Sequence, residues 1–162
     1  MLAGVVAALS VIASGCGGKS VDKYVVSEVA NPIPVKFGDP FVLAASDGKY
    51  YMYGTSLADG FEAYVSDDMS VWEPLGKVYQ GGGESQWNVD CFWAPEVYER
   101  DGKYYMFYSS NAKDNPGNDG ENFKIGVAVS DSPAGPFSDL YDRPVFNPPY
   151  PVIDANVLFE DD

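Results

Sequence analysis

Histidine is missing from all 162 residues, and cysteine occurs only at Cys16 and Cys91. Zinc sites draw on Cys and His, so none can be assembled here unless carboxylates supply the remaining ligands. Positive charge is scarce: 10 Lys and Arg stand against 24 Asp and Glu, for a formal charge of -14. A nucleic-acid partner calls for a basic face that displaces counterions, so that class is excluded. Long apolar runs are missing too. The stretch over residues 2–12 is too short to span a bilayer, which takes about 20 residues. What the chain does have is 46% hydrophobic and 15% aromatic residues, which excludes a disordered polymer. Its 12 tyrosines and 17 glycines suit short strands joined by tight turns.

The apolar residues 2–12 lead into Ala13-Ser14-Gly15-Cys16. That pattern fits the apolar core of a signal peptide. Small residues directly before a cysteine resemble the bacterial lipobox. The expectation is a lipoprotein-type signal peptide over residues 1–16, with Cys16 lipidated, and a tether over 17–30. The protein would then be exported to a bacterial cell envelope, periplasmic or at the cell surface, touching membrane through its lipid anchor only. No Lys or Arg precedes Lys19, so the usual basic leader is not in this sequence. Lipidation removes Cys16 as a disulfide partner for Cys91.

From residue 31 onward the chain repeats itself. Asp39-Pro40-Phe41 leads to Ser46-Asp47-Gly48-Lys49-Tyr50-Tyr51. Trp93-Ala94-Pro95-Glu96 leads to Arg100-Asp101-Gly102-Lys103-Tyr104-Tyr105. A third copy opens at Asp154-Ala155-Asn156 and runs to Asp162. Asp-Gly between β-rich runs predicts a hairpin. The first unit reads as strands over 37–45, 50–55, 62–66 and near 75–79. The second reads as strands over 91–99, 104–109 and 123–129, with Ser130-Asp131 matching Ser66-Asp67. Four-stranded units repeating at about 50 residues predict a β-propeller. The fold class is therefore all-β, with two blades and the first strand of a third. The 162-residue sequence reads as a fragment of a longer reading frame, and the isolated fragment is expected to be inactive and to leave blade edges unpaired.

In a propeller the first strand of each blade lines the axis, so equivalent positions converge. Counting back eight residues from the turn aspartates Asp47, Asp101 and Asp162 gives Asp39, Trp93 and Asp154. Two carboxylates around an aromatic wall suit glycoside hydrolysis: one takes a proton from water while another carboxyl protonates the leaving oxygen, and a ring packs on a sugar face. Trp93 is the expected wall. Trp87 and Phe92 are either further sugar platforms or packing beneath a loop. Glu96, three residues past Trp93, is expected on the opposite face of its strand. Glu84 and Glu121 lie in loops without a motif, and Asp90 and Cys91 near the rim have no assigned role.

Phe37-Gly38-Asp39-Pro40, Trp93-Ala94-Pro95-Glu96 and Ile153-Asp154-Ala155-Asn156 resemble the first three blade motifs of glycoside hydrolase family 43. The resemblance runs from about residue 31 to the end, a partial domain over 31–162. It implies a five-bladed propeller and an inverting enzyme acting on arabinosyl, xylosyl or galactosyl linkages of plant-type glycans. It implies Asp39 as general base and Asp154 as the residue that raises the acid's pKa and orients it. The family's acid is a glutamate of a later blade, beyond Asp162. No cofactor is required for the chemistry; some members hold a structural calcium ion, which the full-length protein could share. Two rivals are a propeller that only binds glycans and a fructan-cleaving relative. Gly38-Asp39-Pro40-Phe41 departs from the Asn-Asp-Pro-Asn context of the latter.

Overall fold

The computed structural model describes residues 33–113 and 122–160. Cys16, the expected signal peptide and tether over residues 1–30, and Glu121 lie outside the described residues. Eight strands follow one another: β1 (Gly38–Ala44), β2 (Tyr50–Leu57), β3 (Gly60–Ser66), β4 (Glu73–Gln80), β5 (Trp93–Arg100), β6 (Lys103–Asn111), β7 (Phe123–Ser130) and β8 (Ser138–Asp139). They form two antiparallel four-stranded meanders, β1-β2-β3-β4 and β5-β6-β7-β8. These are the two blades expected. The fourth strand of the second blade shrinks to β8, with Phe137 beside it bridging to Tyr79 of β4.

The blades stack through an aromatic layer. Tyr53, Phe61 and Tyr79 of the first meet Phe92, Val97, Met106 and Tyr108 of the second, all essentially inaccessible to solvent. Tyr79 and Tyr108 carry hydroxyls into this layer, and both are satisfied. The two hydroxyls stand 2.8 Å apart, and each donates to Asp139 Oδ1, at 2.8 and 2.6 Å. Asn88 Nδ2 donates to both, at 2.8 Å each. An unmet hydroxyl there would cost roughly 1–3 kcal/mol. Among the described residues every buried side-chain nitrogen and oxygen has a partner.

The repeated Ser-Asp after the third strand has a structural cause. Lys49 reaches Asp67 at 2.9 Å and Lys103 reaches Asp131 at 2.6 Å, so each hairpin lysine clips onto its own third strand. Both pairs are exposed and stabilise little.

Two expectations change. The two hairpins are not built alike. Ala44 pairs with Tyr50 across residues 45–49, whereas Arg100 pairs with Lys103 across a two-residue Asp101-Gly102 turn. That turn has φ of 52° and 72°, as a tight type I′ connection requires. Matching pairs show the offset: six steps separate Ala44 from Tyr50, five separate Glu99 from Tyr104. The third unit also differs, because residues 151–160 form no strand. A first blade strand gains its ladder from the second, and the residues that would supply that hairpin partner are not in this chain.

Candidate active site

The first strand of each blade is interrupted at the same place. Gly38 pairs with Thr55 and Phe41 with Tyr53, so one extra residue is squeezed into β1. Trp93 pairs with Ser109 and Glu96 with Phe107, which repeats the bulge in β5. A bulge bends its strand and re-aims a side chain. The residues that carry it are Asp39 (φ 49°) and Ala94 (φ 46°), each followed by proline. Asp154 has φ 60° and accompanies them. The left-handed region is uncommon for residues with a Cβ, and its recurrence at three points marks one repeated device.

A second signature secures the alignment. The Ala94 amide donates to Thr55 Oγ1 at 2.9 Å, and the Asp154 amide donates to Ser109 Oγ at 3.0 Å. Thr55 and Ser109 hold the same ladder position in their blades. The equivalent residues are therefore Asp39, Ala94 and Asp154. Trp93 stands one place earlier, level with Gly38. The count from the turns slips by one because the first hairpin holds one more residue than the second.

Asp39, Pro40, Phe41, Ala94, Pro95, Glu96 and Asp154 line one open cleft of about 230 Å³. The two aspartates expected in the site do meet there. Asp39 is exposed at the rim, and Thr55 Oγ1 donates to its Oδ2 at 3.1 Å. Asp154 is exposed on the facing segment. That segment is sewn down from behind: Val152 N donates to Phe123 O at 3.0 Å, and the buried Lys124 Nζ donates to Pro148 O and Tyr150 O at 2.7 and 3.0 Å. Among the described residues, no lysine or arginine lines the cleft.

Glu96 corrects an expectation. It lies two residues past the true bulge position, hence on the same face, and joins the cleft. Its Oε2 accepts a short bond from the Tyr98 hydroxyl and one of 3.2 Å from Asn156 Nδ2. The Val157 amide also donates to the Tyr98 hydroxyl, at 3.2 Å. Desolvation, then the bond to Glu96, pushes the Tyr98 phenol above its ordinary range. Glu96 and Tyr98 thus anchor the segment on which Asp154 sits. Placing proline by proline, Pro40 on Pro95, recovers this register from the sequence.

Of the two readings open for Trp87 and Phe92, packing is the one the structure gives. Phe92 is fully buried, in edge contact with Phe61 at 6.0 Å, and offers no face to a ligand. Trp87 is 8% exposed and stacks on Tyr108 at 6.0 Å, away from the cleft. Trp93 is half-buried and lies on Phe123 at 4.4 Å, outside the cleft lining. Among the described residues, no three His, Cys, Asp or Glu side chains are grouped to hold a metal ion.

Successive four-stranded antiparallel blades whose first-strand bulges, at Asp39 and Ala94, meet Asp154 in one cleft define a protein of the β-propeller class. The family model of glycosyl hydrolases family 43 matches residues 29–162, and the chain belongs to that family. It is 35% identical over 117 residues to a probable arabinan endo-1,5-alpha-L-arabinosidase C of Aspergillus clavatus, covering 68% of this chain and 34% of that protein. It is 40% identical over 109 residues to the xylosidase/arabinosidase 43A of Humicola insolens, covering 57% of this chain and 32% of that protein. Among solved structures, a thermostable family-43 glycoside hydrolase superposes with a TM-score of 0.71 at 34% identity, over 82% of this chain and 41% of that one. The chain spans about a third of the length of these curated relatives.

Proposed function

We propose that the protein containing this chain hydrolyses arabinosyl, xylosyl or galactosyl bonds of plant-type glycans with inversion at the anomeric carbon. Asp39 is the general base that takes a proton from the attacking water. Asp154 stands across the cleft, where its negative charge keeps the general acid protonated and oriented. The acid is a glutamate beyond residue 162. Inversion places base and acid roughly 6.5–9.5 Å apart, with the water between. The observation that supports this reading is that Asp39 and Asp154 share a left-handed backbone and line one cleft. Glu96 accepts two donors on one oxygen, which suits an anchor better than a proton donor.

The proposed chemistry uses carboxylates and water alone, and a structural calcium ion belongs to the full-length protein if it holds one. Trp93, on the residue before the bulge, is proposed to face sugar only at the cleft's margin. Export and lipidation at Cys16 complete the reading: incorporation of labelled palmitate should disappear in Cys16→Ser.

The test is expression of the complete reading frame and assay on aryl arabinofuranoside, xyloside and galactoside, with NMR of the first-formed anomer. Turnover with inversion, falling about 10²–10⁴-fold in Asp39→Asn, is expected. Glycan binding without turnover would replace the enzyme with a binding propeller.

A further inference from the structure

We propose that Thr55 is the positioning residue of Asp39, with Ser109 repeating half of its role for Asp154. The proposal rests on Asp39 being the base. Thr55 stands opposite Gly38 in the β1–β2 ladder, at the bulge itself. Its Oγ1 bonds Asp39 Oδ2 at 3.1 Å and the Ala94 amide at 2.9 Å. A threonine hydroxyl has one proton and two lone pairs. An amide N–H can only donate, so the oxygen accepts from Ala94. Its single proton is left for the carboxylate, which accepts when ionised. The direction of both bonds is therefore fixed.

Asp39 is exposed, so the surrounding packing does little to choose its rotamer. The Thr55 hydroxyl does choose, because it aims one carboxylate oxygen at itself and turns the other outward. Threonine fits this role, because its branched Cβ restricts χ1 and the hydroxyl cannot swing as a serine's can. The same hydroxyl also ties the first blade's carboxylate to the second blade's backbone at Ala94. Ser109 then takes the Asp154 amide, at 3.0 Å, from the corresponding place in the second blade. The two carboxylates are thus spaced by a relay of hydroxyl contacts that steps from blade to blade. An inverting mechanism depends on a fixed base, since its water must fit between base and acid, and Asp154 must be held just as firmly to act on that acid.

The experiment compares Thr55→Val, Thr55→Ala and Thr55→Ser in the complete reading frame. Valine keeps the shape and removes the hydroxyl; alanine also admits water to the Ala94 amide, should valine prevent folding. Loss of the hydroxyl is expected to lower kcat roughly 10- to 100-fold, because misplacement of a reacting group by about 1 Å costs that much. KM should stay within about two-fold, as for an interaction absent from substrate binding. Thr55→Ser should restore most of the rate, although both serine and alanine shorten the side chain. A purely structural residue would instead lower thermal stability in step with side-chain volume and leave kcat alone. Crystal structures of wild type and Thr55→Val form the second arm: the Asp39 carboxylate should turn in the variant. An unchanged kcat in an active enzyme, or an unmoved carboxylate, overturns the proposal. An inactive wild type overturns the glycosidase reading instead, and the crystallographic arm still decides whether Thr55 positions Asp39.

Discussion

The two blades offer the same backbone and opposite chemistry at one position. Each inserts a bulge residue with a left-handed φ into its first strand, follows it with proline, and places a hydroxyl opposite. In the first blade that residue is Asp39; in the second it is Ala94. The device is thus generic, and the side chain it presents decides whether a blade takes part in chemistry. Breaking the comparison gives the largest expected effect. Asp39→Ala gives the first blade the second blade's side chain and should lower kcat by about 10²–10⁴-fold. The thermal midpoint should hardly move, because Asp39 is exposed. The double variant Asp39→Ala/Ala94→Asp should not recover turnover, since its carboxylate enters from the neighbouring blade and misses the water. Recovery in the double variant would mean that the cleft needs charge rather than geometry.

A second contrast lies in a pair of matching cross-strand positions in the two blades. The first blade pairs Gly54 with Glu62; the second pairs Tyr108 with Gly126. The glycine has changed strands. In the second blade it clears space for two rings, since a Cβ on Gly126 would stand 2.5 Å from Tyr108 Cζ and 2.6 Å from Trp87 Cζ2. Gly126→Ala should therefore cost about 1–3 kcal/mol by overpacking. Tyr108→Phe should cost about as much by a different route, leaving Asn88 and Asp139 short of a partner. Urea titrations of Tyr79→Phe, Tyr108→Phe and the pair separate the two hydroxyls. Because they share Asp139 and Asn88, the double loss should be smaller than the sum.

The same hydroxyls predict an alkaline limit. Burial holds the phenols of Tyr53, Tyr79 and Tyr108 far above their ordinary range, while Tyr51, nearer the surface, is pushed up to about 12. The unfolded chain ionises a tyrosine near pH 10, but the folded protein keeps these protonated. Above that pH the unfolded state binds fewer protons, so stability falls as pH rises. Each such phenol contributes a slope of about 1.4 kcal/mol per pH unit. Stability measured from pH 8 to 11 should bend downward near 10, and Tyr108→Phe should flatten the bend. An unchanged slope would show that Tyr108 ionises as readily when folded.

Much of this is legible in the sequence, and each misreading has its own physical origin. Alternation and Asp-Gly turns locate β1–β3 and β5–β7, because half-buried strands must alternate. Asp39 and Asp154 emerge through their repeat. Counting from the turns misplaces Trp93 and Glu96, because one extra residue in a turn does not alter the hydrophobic pattern. That slip exchanges the faces of both residues. Trp87 and Phe92 are ambiguous because an aromatic ring suits a core as well as a sugar face, and here packing claims them. The Thr55 and Ser109 hydroxyls carry no motif of their own; only the ladder register shows that they hold one position.

The smallest expected effect concerns the outer end of the first strands. Ala44 of β1 is matched in β5 by Glu99, each paired with the first tyrosine of its second strand. Glu99 crosses back to the first blade, where its Oε2 accepts the Ser46 amide at 2.8 Å and its other oxygen accepts the Ser46 hydroxyl. Those bonds, the hydroxyl first and the amide next, lower the Glu99 pKa. A carboxyl held below its unfolded value stabilises the fold above that value, and the contribution fades as pH falls through the folded pKa. Glu99→Gln should therefore lower stability at pH 7 and make little difference below the ordinary glutamate range, near pH 3. The contact is exposed, so screening keeps the difference under about 1 kcal/mol. Paired thermal melts at pH 7 and pH 3 read it directly. A gap of equal size at both values would mean that Glu99 links the blades by shape rather than by charge, and that the second blade gains nothing from its carboxylate that Ala44 denies the first.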